Sequence, residues 1–441
     1  MEGFSDSPGS RAVEPRPHPA PAAAAAPRRF SRVVGRWEGD PKGPLLLVTG
    51  GIHGNEPAGL LAAERMFLEA GETAPGGFHG TLAVLAGNLP ALERGVRYLD
   101  EDLNRIWLAE RMAAPADAPS VEERQRDALR SALRAEVERH RARAAAAGVE
   151  PGEVHFMDLH TSSAPGLPFG LIGDTLRNRR FARALPSPII LGLEEQVDGA
   201  LLEWLNQRGV VTLGFEGGQH ETGEAVDNHA AALWLGMAAA GCLGPGHEKP
   251  WKSPHAEVRE SWRRLASQAE GLPRFLEIRY RHPVRAEDGF RMRPGYRSFQ
   301  RVVRGEVLAY DREGPIRAFY DARILLPLYQ EKGADGFFLA RGLSRFWLGV
   351  SAALRRLRCD RCVTLLPGVH RARRDDPDCP LPRHLEDEDL THYLFVDPRV
   401  ARWFTIEVFH LLGYRKRRSH DRCLVVSRRS WDLAGPERVE L

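Results

Sequence analysis

The sequence predicts an α/β fold: a three-layer α/β sandwich, then a small β module, then a mostly helical C-terminal appendage. Three observations carry this. Between residues 44 and 240 short apolar runs alternate with helical patterns, which implies parallel strands joined by crossover helices. From about Phe275 to Arg341 the apolar pieces shorten and are cut by turn dipeptides. The last hundred residues show no internal repeat, and their charge balance shifts.

Residues 1–30 are rich in Pro, Ala and Ser and are expected to form a disordered tail. Regular structure is expected over 31–250. The run Pro44 to Thr49, closed by Gly50-Gly51, reads as a buried strand, followed by a helix over 56–70. Further strands are expected at 82–86, 154–159, 188–193 and 210–215, with helices at 121–147, 198–208 and 225–240. The 121–147 segment is long, charged and rich in Ala and Arg, and reads as a solvated surface helix. Residues 251–341 are expected to hold a linker and the β module, its turns marked by Asp288-Gly289, Pro294-Gly295, Arg304-Gly305 and Asp335-Gly336. Residues 342–441 form the appendage, with an amphipathic helix near 399–412.

Composition excludes several classes. Hydrophobic residues make up 43% and charged residues 27%, enough apolar material for a sizeable core in 441 residues. No run approaches the ~18 apolar residues of a spanning helix, so no membrane is expected. The net charge of +3 divides into +6 from Arg341 onward and −3 before it, too little to require a polyanion. The basic runs at 371–374 and 415–418 lack interleaved aromatics and read as solvated, so nucleic acid is not an expected partner. Five cysteines do not make a disulfide framework. Glu2, Asp6 and Glu14 beside a short alanine run argue against a signal peptide and for a cytoplasmic protein. Self-association is left open.

One constellation carries chemistry. Gly50-Gly51-Ile52-His53-Gly54-Asn55-Glu56 directly follows a predicted strand, and a His and a Glu three apart on such a turn can bind one metal ion. A second strand ends in Asp158-Leu159-His160-Thr161-Ser162, which brings a histidine to the same sheet edge. His53, Glu56 and His160 make a His₂Glu set, a usual ligation for catalytic zinc with one position left for water. Alone, each fragment reads more readily as a surface pair or a structural histidine. Between them lie Arg97, Asp102, Asn104 and Arg105, of which Arg97, Asn104 and Arg105 could bind carboxylate or carbonyl oxygen. Asp158 is a candidate acceptor for a liganded ring N–H.

The segments GGIHGNE, NLPALERGVRYLDEDLNR, DLHTS and FEGG resemble, in order and spacing, those of the succinylglutamate desuccinylase/aspartoacylase family. The resemblance covers about residues 44–240 and, more loosely, the β module to 341. It implies a three-layer α/β/α zinc-carboxypeptidase-like domain with a mixed sheet. It implies one Zn²⁺ per chain held by His53, Glu56 and His160, with Glu216 of the FEGG segment as general base. Arg97 would support the oxyanion, and Asn104 and Arg105 would hold a substrate carboxylate. The activity implied is hydrolysis of the amide bond of a small N-acyl amino acid. Glu221 and Glu224 are the rivals of Glu216, expected instead at the start of the next helix. His220 and His229 are expected in helix-end or surface roles.

Two alternatives stand beside this reading. One is a metallocarboxypeptidase or an esterase on the same fold. The β module argues mildly against the first, since in the resembled family such a module narrows the entrance. The other is a non-catalytic, zinc-holding interaction protein working through its appendage, where Cys359, Cys362, Cys379, His384 and Cys423 could form a second site.

Overall fold

The computed structural model describes residues 28–441, except 72–73, 114–117, 245–248, 331, 374–389, 402–404, 421–422 and 430. The tail expected over 1–30 lies, but for its last three residues, outside that range.

The strands of the α/β body are β1 (Val33–Glu38), β2 (Asp40–Gly50), β3 (His79–Ala86), β4 (Val154–Ser162), β5 (Phe169–Leu171), β6 (Ile189–Leu191), β7 (Val211–Gln219) and β8 (Phe275–Pro283). Its helices are α1 (Ala58–Ala70), α2 (Leu89–Arg94), α3 (Ala109–Ala113), α4 (Val121–Ala146), α5 (Leu176–Phe181), α6 (Leu201–Gln207), α7 (Gly223–Ala240) and α8 (Ala256–Gln268). Then come β9 (Arg291–Met292), β10 (Arg301–Val302), β11 (Val307–Asp311), β12 (Gly314–Arg317), β13 (Ala322–Leu325) and β14 (Asp335–Gly342). Among the described residues one sheet of eleven strands runs β1-β3-β2-β4-β7-β5-β6-β8-β14-β13-β10. Its centre is parallel, β3-β2-β4-β7, and its edges and the β5/β7 contact are antiparallel, so the sheet is mixed.

The layering follows from the pleat. Leu45 to Val48 are all fully buried, and alternate residues point to opposite faces. Leu46 and Val48 pack with Leu60 and Met66 of α1 and Leu233 and Met237 of α7. Leu45 and Leu47 pack with Leu129, Leu133 and Val137 of α4 and Trp204 of α6. A strand covered on both faces needs a continuous apolar run, which is what this stretch supplies.

The α4 segment departs from the expected solvated helix. One face buries Leu129, Leu133 and Val137, and also Glu122, Arg126, Glu136 and His140. Its high charge hid the stripe, because several buried positions on it are themselves polar and paired. The β module also differs from a free-standing unit. β8, β14, β13 and β10 continue the large sheet, while β9, β11 and β12 form a separate three-stranded one. Gly289, Gly295 and Gly305 take positive φ as turn glycines do, but Asp335-Gly336 opens strand β14 instead of making a turn.

The appendage, expected to be mostly helical, holds a sheet beside its helices. After α9 (Arg345–Arg356), the strands β15 (Val369–Arg371), β16 (Tyr393–Val396), β17 (Tyr414–His420) and β18 (Cys423–Arg428) form a four-stranded antiparallel sheet, with α10 (Thr405–Leu411) packed beside it. β16 and β18 are buried at every position, so their sequences carry no alternation to announce a strand. This part is tied into the α/β body. Arg355, fully buried, reaches Asp174 at 2.8 Å, and Val439 and Leu441 join the core beside Leu133 and Trp204. Among the described residues no helix is long and apolar enough to cross a membrane.

Candidate metal centre and active site

The central strands β2, β4 and β7 end side by side, and the site is built on those ends. Beyond β2 the chain turns at Gly51, whose φ of 66° favours glycine. A Cβ on Gly54 would stand 2.1 Å from the Ala91 carbonyl carbon, so only glycine fits there. The close approach lets Gly54 N donate to Arg97 O at 3.1 Å, joining this loop to the next. Glu56 N donates to His53 O, which folds the two side chains toward one side before α1 begins. On β4 the partner of His160 is Glu216 of β7, so strand register sets those two groups level.

His53, Glu56 and His160 are buried, and one ligand atom from each lies within 4.8 Å of the others. His53 Nδ1 stands 2.9 Å from Glu56 Oε1, and His160 Nδ1 stands 3.0 Å from Glu56 Oε2. Two donors bound tetrahedrally at ~2.1 Å would be about 3.4 Å apart, so these spacings suit one small cation. The far nitrogens are engaged as liganded imidazoles usually are: His53 Nε2 is 3.1 Å from Asp102 Oδ1, and His160 Nε2 is 2.9 Å from Asp158 Oδ2. Each contact favours the tautomer with its proton on Nε2 and its Nδ1 lone pair turned inward. Thr49 Oγ1 donates to the other Asp158 oxygen at 2.6 Å and fixes that carboxylate.

Charge agrees with this. Burial opposes a charge on Glu56, yet the two imidazoles beside it hold its carboxyl well below the usual carboxylate range. Burial likewise opposes a charge on His160, but Asp158 and Glu56 draw positive charge onto its ring. The cluster attracts the positive charge that a divalent ion would supply. Nitrogen, nitrogen and carboxylate oxygen form a donor set suited to zinc, so the residues present fit that ion.

Glu216 lines the same pocket, buried, with Oε2 lacking a hydrogen-bond partner. Burial pushes its carboxyl up to about 7, and the neighbouring Glu56 charge adds to the effect. Of its rivals, Glu221 is exposed and Glu224 borders a different cavity.

Comparison with known proteins identifies the domain that carries this site. Residues 42–219 match the succinylglutamate desuccinylase/aspartoacylase catalytic domain, a span that includes His53, Glu56, Asp102, Asp158, His160 and Glu216. Residues 42–219 thus carry a succinylglutamate desuccinylase/aspartoacylase catalytic domain, about two fifths of the chain. A succinylglutamate desuccinylase of Burkholderia orbicola is 37% identical over 90 residues, 20% of this chain and 25% of that protein. An N-acyl-aromatic-L-amino acid amidohydrolase (carboxylate-forming) of Xenopus laevis is 39% identical over 71 residues, 16% of this chain and 23% of that protein. The aligned stretches thus span about a quarter of these relatives' length. A solved succinylglutamate desuccinylase/aspartoacylase structure from Rhodobacter sphaeroides aligns over 68% of this chain and 87% of its own, with 18% identity and a TM-score of 0.48.

The other candidate residues of this desuccinylase/aspartoacylase domain are placed as follows. Arg97 borders the pocket, with Nη1 3.3 Å from Glu56 Oε1, Nη2 3.0 Å from Asp102 Oδ2, and Nε buried without a partner. Asn104 also lines the pocket, but its Oδ1 accepts from Leu201 N at 2.9 Å. Arg105 lines it too, with Nη1 on Asn104 O at 2.8 Å and Nη2 on Asp335 Oδ2 at 2.6 Å.

Four features escaped the sequence reading. Asp102 backs His53 across 49 positions, a pairing no local pattern announces. Buried Glu122, at the start of α4, accepts from Leu99 N, Asp100 N and Glu101 N and so anchors the loop carrying Arg97 and Asp102. His229 is not at a surface: it is buried inside α7, with Nε2 3.0 Å from His160 O, where it braces the strand behind that ligand. His220 sits beside the centre, its Nδ1 2.7 Å from Thr161 Oγ1. In the appendage Cys359 and Cys362 are free thiols, whereas Cys423 is disulfide-bonded and so is withdrawn as a ligand. Cys379 and His384 lie outside the described residues.

Proposed function

We propose that this chain is a zinc-dependent amidohydrolase that cleaves the amide bond of a small N-acyl amino acid. The observation that carries the reading is the convergence of His53, Glu56 and His160, each histidine backed by a carboxylate, in one pocket with an uncommitted Glu216. His53 and His160 through Nδ1, with Glu56, would hold the ion. A zinc ion so held lowers the pKa of a bound water to about 7 and polarises a carbonyl oxygen.

The chain's own residues supply the rest. Glu216 accepts the proton of the attacking water and passes it to the departing nitrogen, a role suited to a buried carboxylate whose proton affinity has been raised. Arg97 is oriented by Glu56 and Asp102 and offers its guanidinium to the oxygen on which negative charge develops; one such donor is worth roughly 3–4 kcal/mol. Asp102 and Asp158 orient the imidazoles. Asn104 shapes the pocket wall and Arg105 offers positive charge to a substrate carboxylate.

Support for an amide substrate comes from the family and from relatives whose names describe deacylation. The test is a panel of N-acetyl, N-succinyl and longer N-acyl amino acids beside C-terminal dipeptides and matched esters, assayed with the zinc-loaded protein. Turnover of N-acyl amino acids above the dipeptides supports the reading. Turnover of the dipeptides alone makes the protein a carboxypeptidase.

A further inference from the structure

Asp335 stands where a substrate's charged group would be expected to bind. It opens β14, and its carboxylate lies between two guanidiniums, Arg105 Nη2 at 2.6 Å from one oxygen and Arg281 Nε on the other. Arg281, on the adjacent strand β8, also donates through Nη1 to Gln196 O at 2.7 Å, which fixes the clamp to the loop before α6. The outer edge of the Arg105 fork is thus taken up, by Asp335 and by Asn104 O. A planar guanidinium bound in this way cannot present the same edge to a second carboxylate.

Two further features of the pocket agree. Its lining residues include four carboxylates, Glu56, Asp158, Glu216 and Asp335, against two guanidiniums, Arg97 and Arg105. Both guanidiniums already have a carboxylate partner. Much of the remaining wall is apolar, with Leu171, Leu193, Val197, Leu202, Leu328 and Phe338. A ligand carrying several carboxylates would place buried negative charge against this wall, where each guanidinium of the lining already faces a carboxylate, which is costly.

We infer, on the basis of the amidohydrolase reading above, that Asp335 is a specificity determinant. It occupies Arg105 from within, so that the site accepts N-acyl amino acids with a single carboxylate on an apolar frame and disfavours those with a second carboxylate on the side chain or acyl group. With its Nη atoms occupied in this clamp, Arg105 keeps Nε, which is buried without a partner, as the donor still open to one carboxylate.

The experiment uses the full-length, zinc-loaded protein with N-acetyl-leucine, N-acetyl-aspartate and N-succinyl-glutamate. Wild type should show kcat/KM at least tenfold higher for N-acetyl-leucine than for either dicarboxylic or tricarboxylic substrate. In Asp335→Asn, which leaves both Arg105 and Arg281 without their shared carboxylate, that ratio should fall by tenfold or more. Binding of succinate to metal-free protein, followed by calorimetry, should tighten by a similar factor in the variant. A wild-type preference for N-acetyl-aspartate overturns the inference without any variant. So does an unchanged ratio, or unchanged succinate affinity, in a variant that melts like wild type. If no substrate is cleaved but succinate binding tightens, the amidohydrolase reading fails while the role of Asp335 as an internal counter-anion stands.

Discussion

Replacing Glu216 by Gln tests the catalytic chemistry at one atom. The amide has the shape of the carboxylate, so packing should survive, but it cannot take a proton from water. General-base catalysis contributes about 10²–10⁴ in rate. The structure argues for the upper half of that range, because among the described residues the other carboxylates lining the pocket are each engaged. Glu56 faces both imidazoles and Arg97, Asp158 is held by Thr49 and His160, and Asp335 is clamped by Arg105 and Arg281. A loss of about 10³–10⁴ in kcat corresponds to roughly 4–5.5 kcal/mol of transition-state stabilisation. The assay is steady-state hydrolysis of the best N-acyl amino acid, with zinc content measured on the same sample. The pH profile adds a second readout. The base works deprotonated, and burial, with the Glu56 charge beside it, pushes Glu216 up to about 7. A bound cation lowers that value, so activity should fall with decreasing pH through a limb at or below 7. Zinc retained with kcat within tenfold of wild type would refute the assignment, as would an acid limb above 8.

Other outcomes follow from the same contacts. Asp158→Asn should keep the fold but weaken zinc affinity by about 10–100-fold, measured by competition with a chelator, because His160 loses the acceptor that orients it. Arg355→Met should lower unfolding free energy by about 3 kcal/mol or more in a denaturant titration, since Asp174 and Asp432 would be left buried with fewer cations. His410 stands 2.8 Å from Glu277 and 3.1 Å from Glu195, which overcome burial and raise its pKa to about 10. A raised folded-state value gives stability that is complete below about 6.5 and lost as pH rises toward 10. The thermal midpoint should therefore decline across that window, and His410→Gln should flatten the decline.

What the sequence revealed of the site was its local part. His53 and Glu56 are three residues apart in a glycine-bounded turn, and Asp158 and His160 are two apart on one strand, so short motifs bring out those pairs. That the strand ends of β2, β4 and β7 would be neighbours follows from parallel pairing, which apolar runs separated by helices imply. The partners that set specificity and tuning come from elsewhere in the chain. Asp335 meets Arg105 across 230 positions and Arg281 through the pairing of β14 with β8, and no run or period in the sequence encodes those contacts. The appendage's sheet is hidden in the sequence for a related reason: strands buried on every side, such as Tyr393–Val396, lose the alternation by which a strand is recognised. The buried face of the charged helix α4 is hidden in the opposite sense, because Glu122 and Arg126 look solvated until their buried partners are known.

Metal stoichiometry tests the account most directly. Purified protein, stripped and then reconstituted, should hold one zinc per chain by elemental analysis, and His53→Ala should hold less than a tenth of that while keeping the wild-type circular dichroism spectrum. Full zinc in the folded His53→Ala protein, or none in the folded wild type, would contradict it.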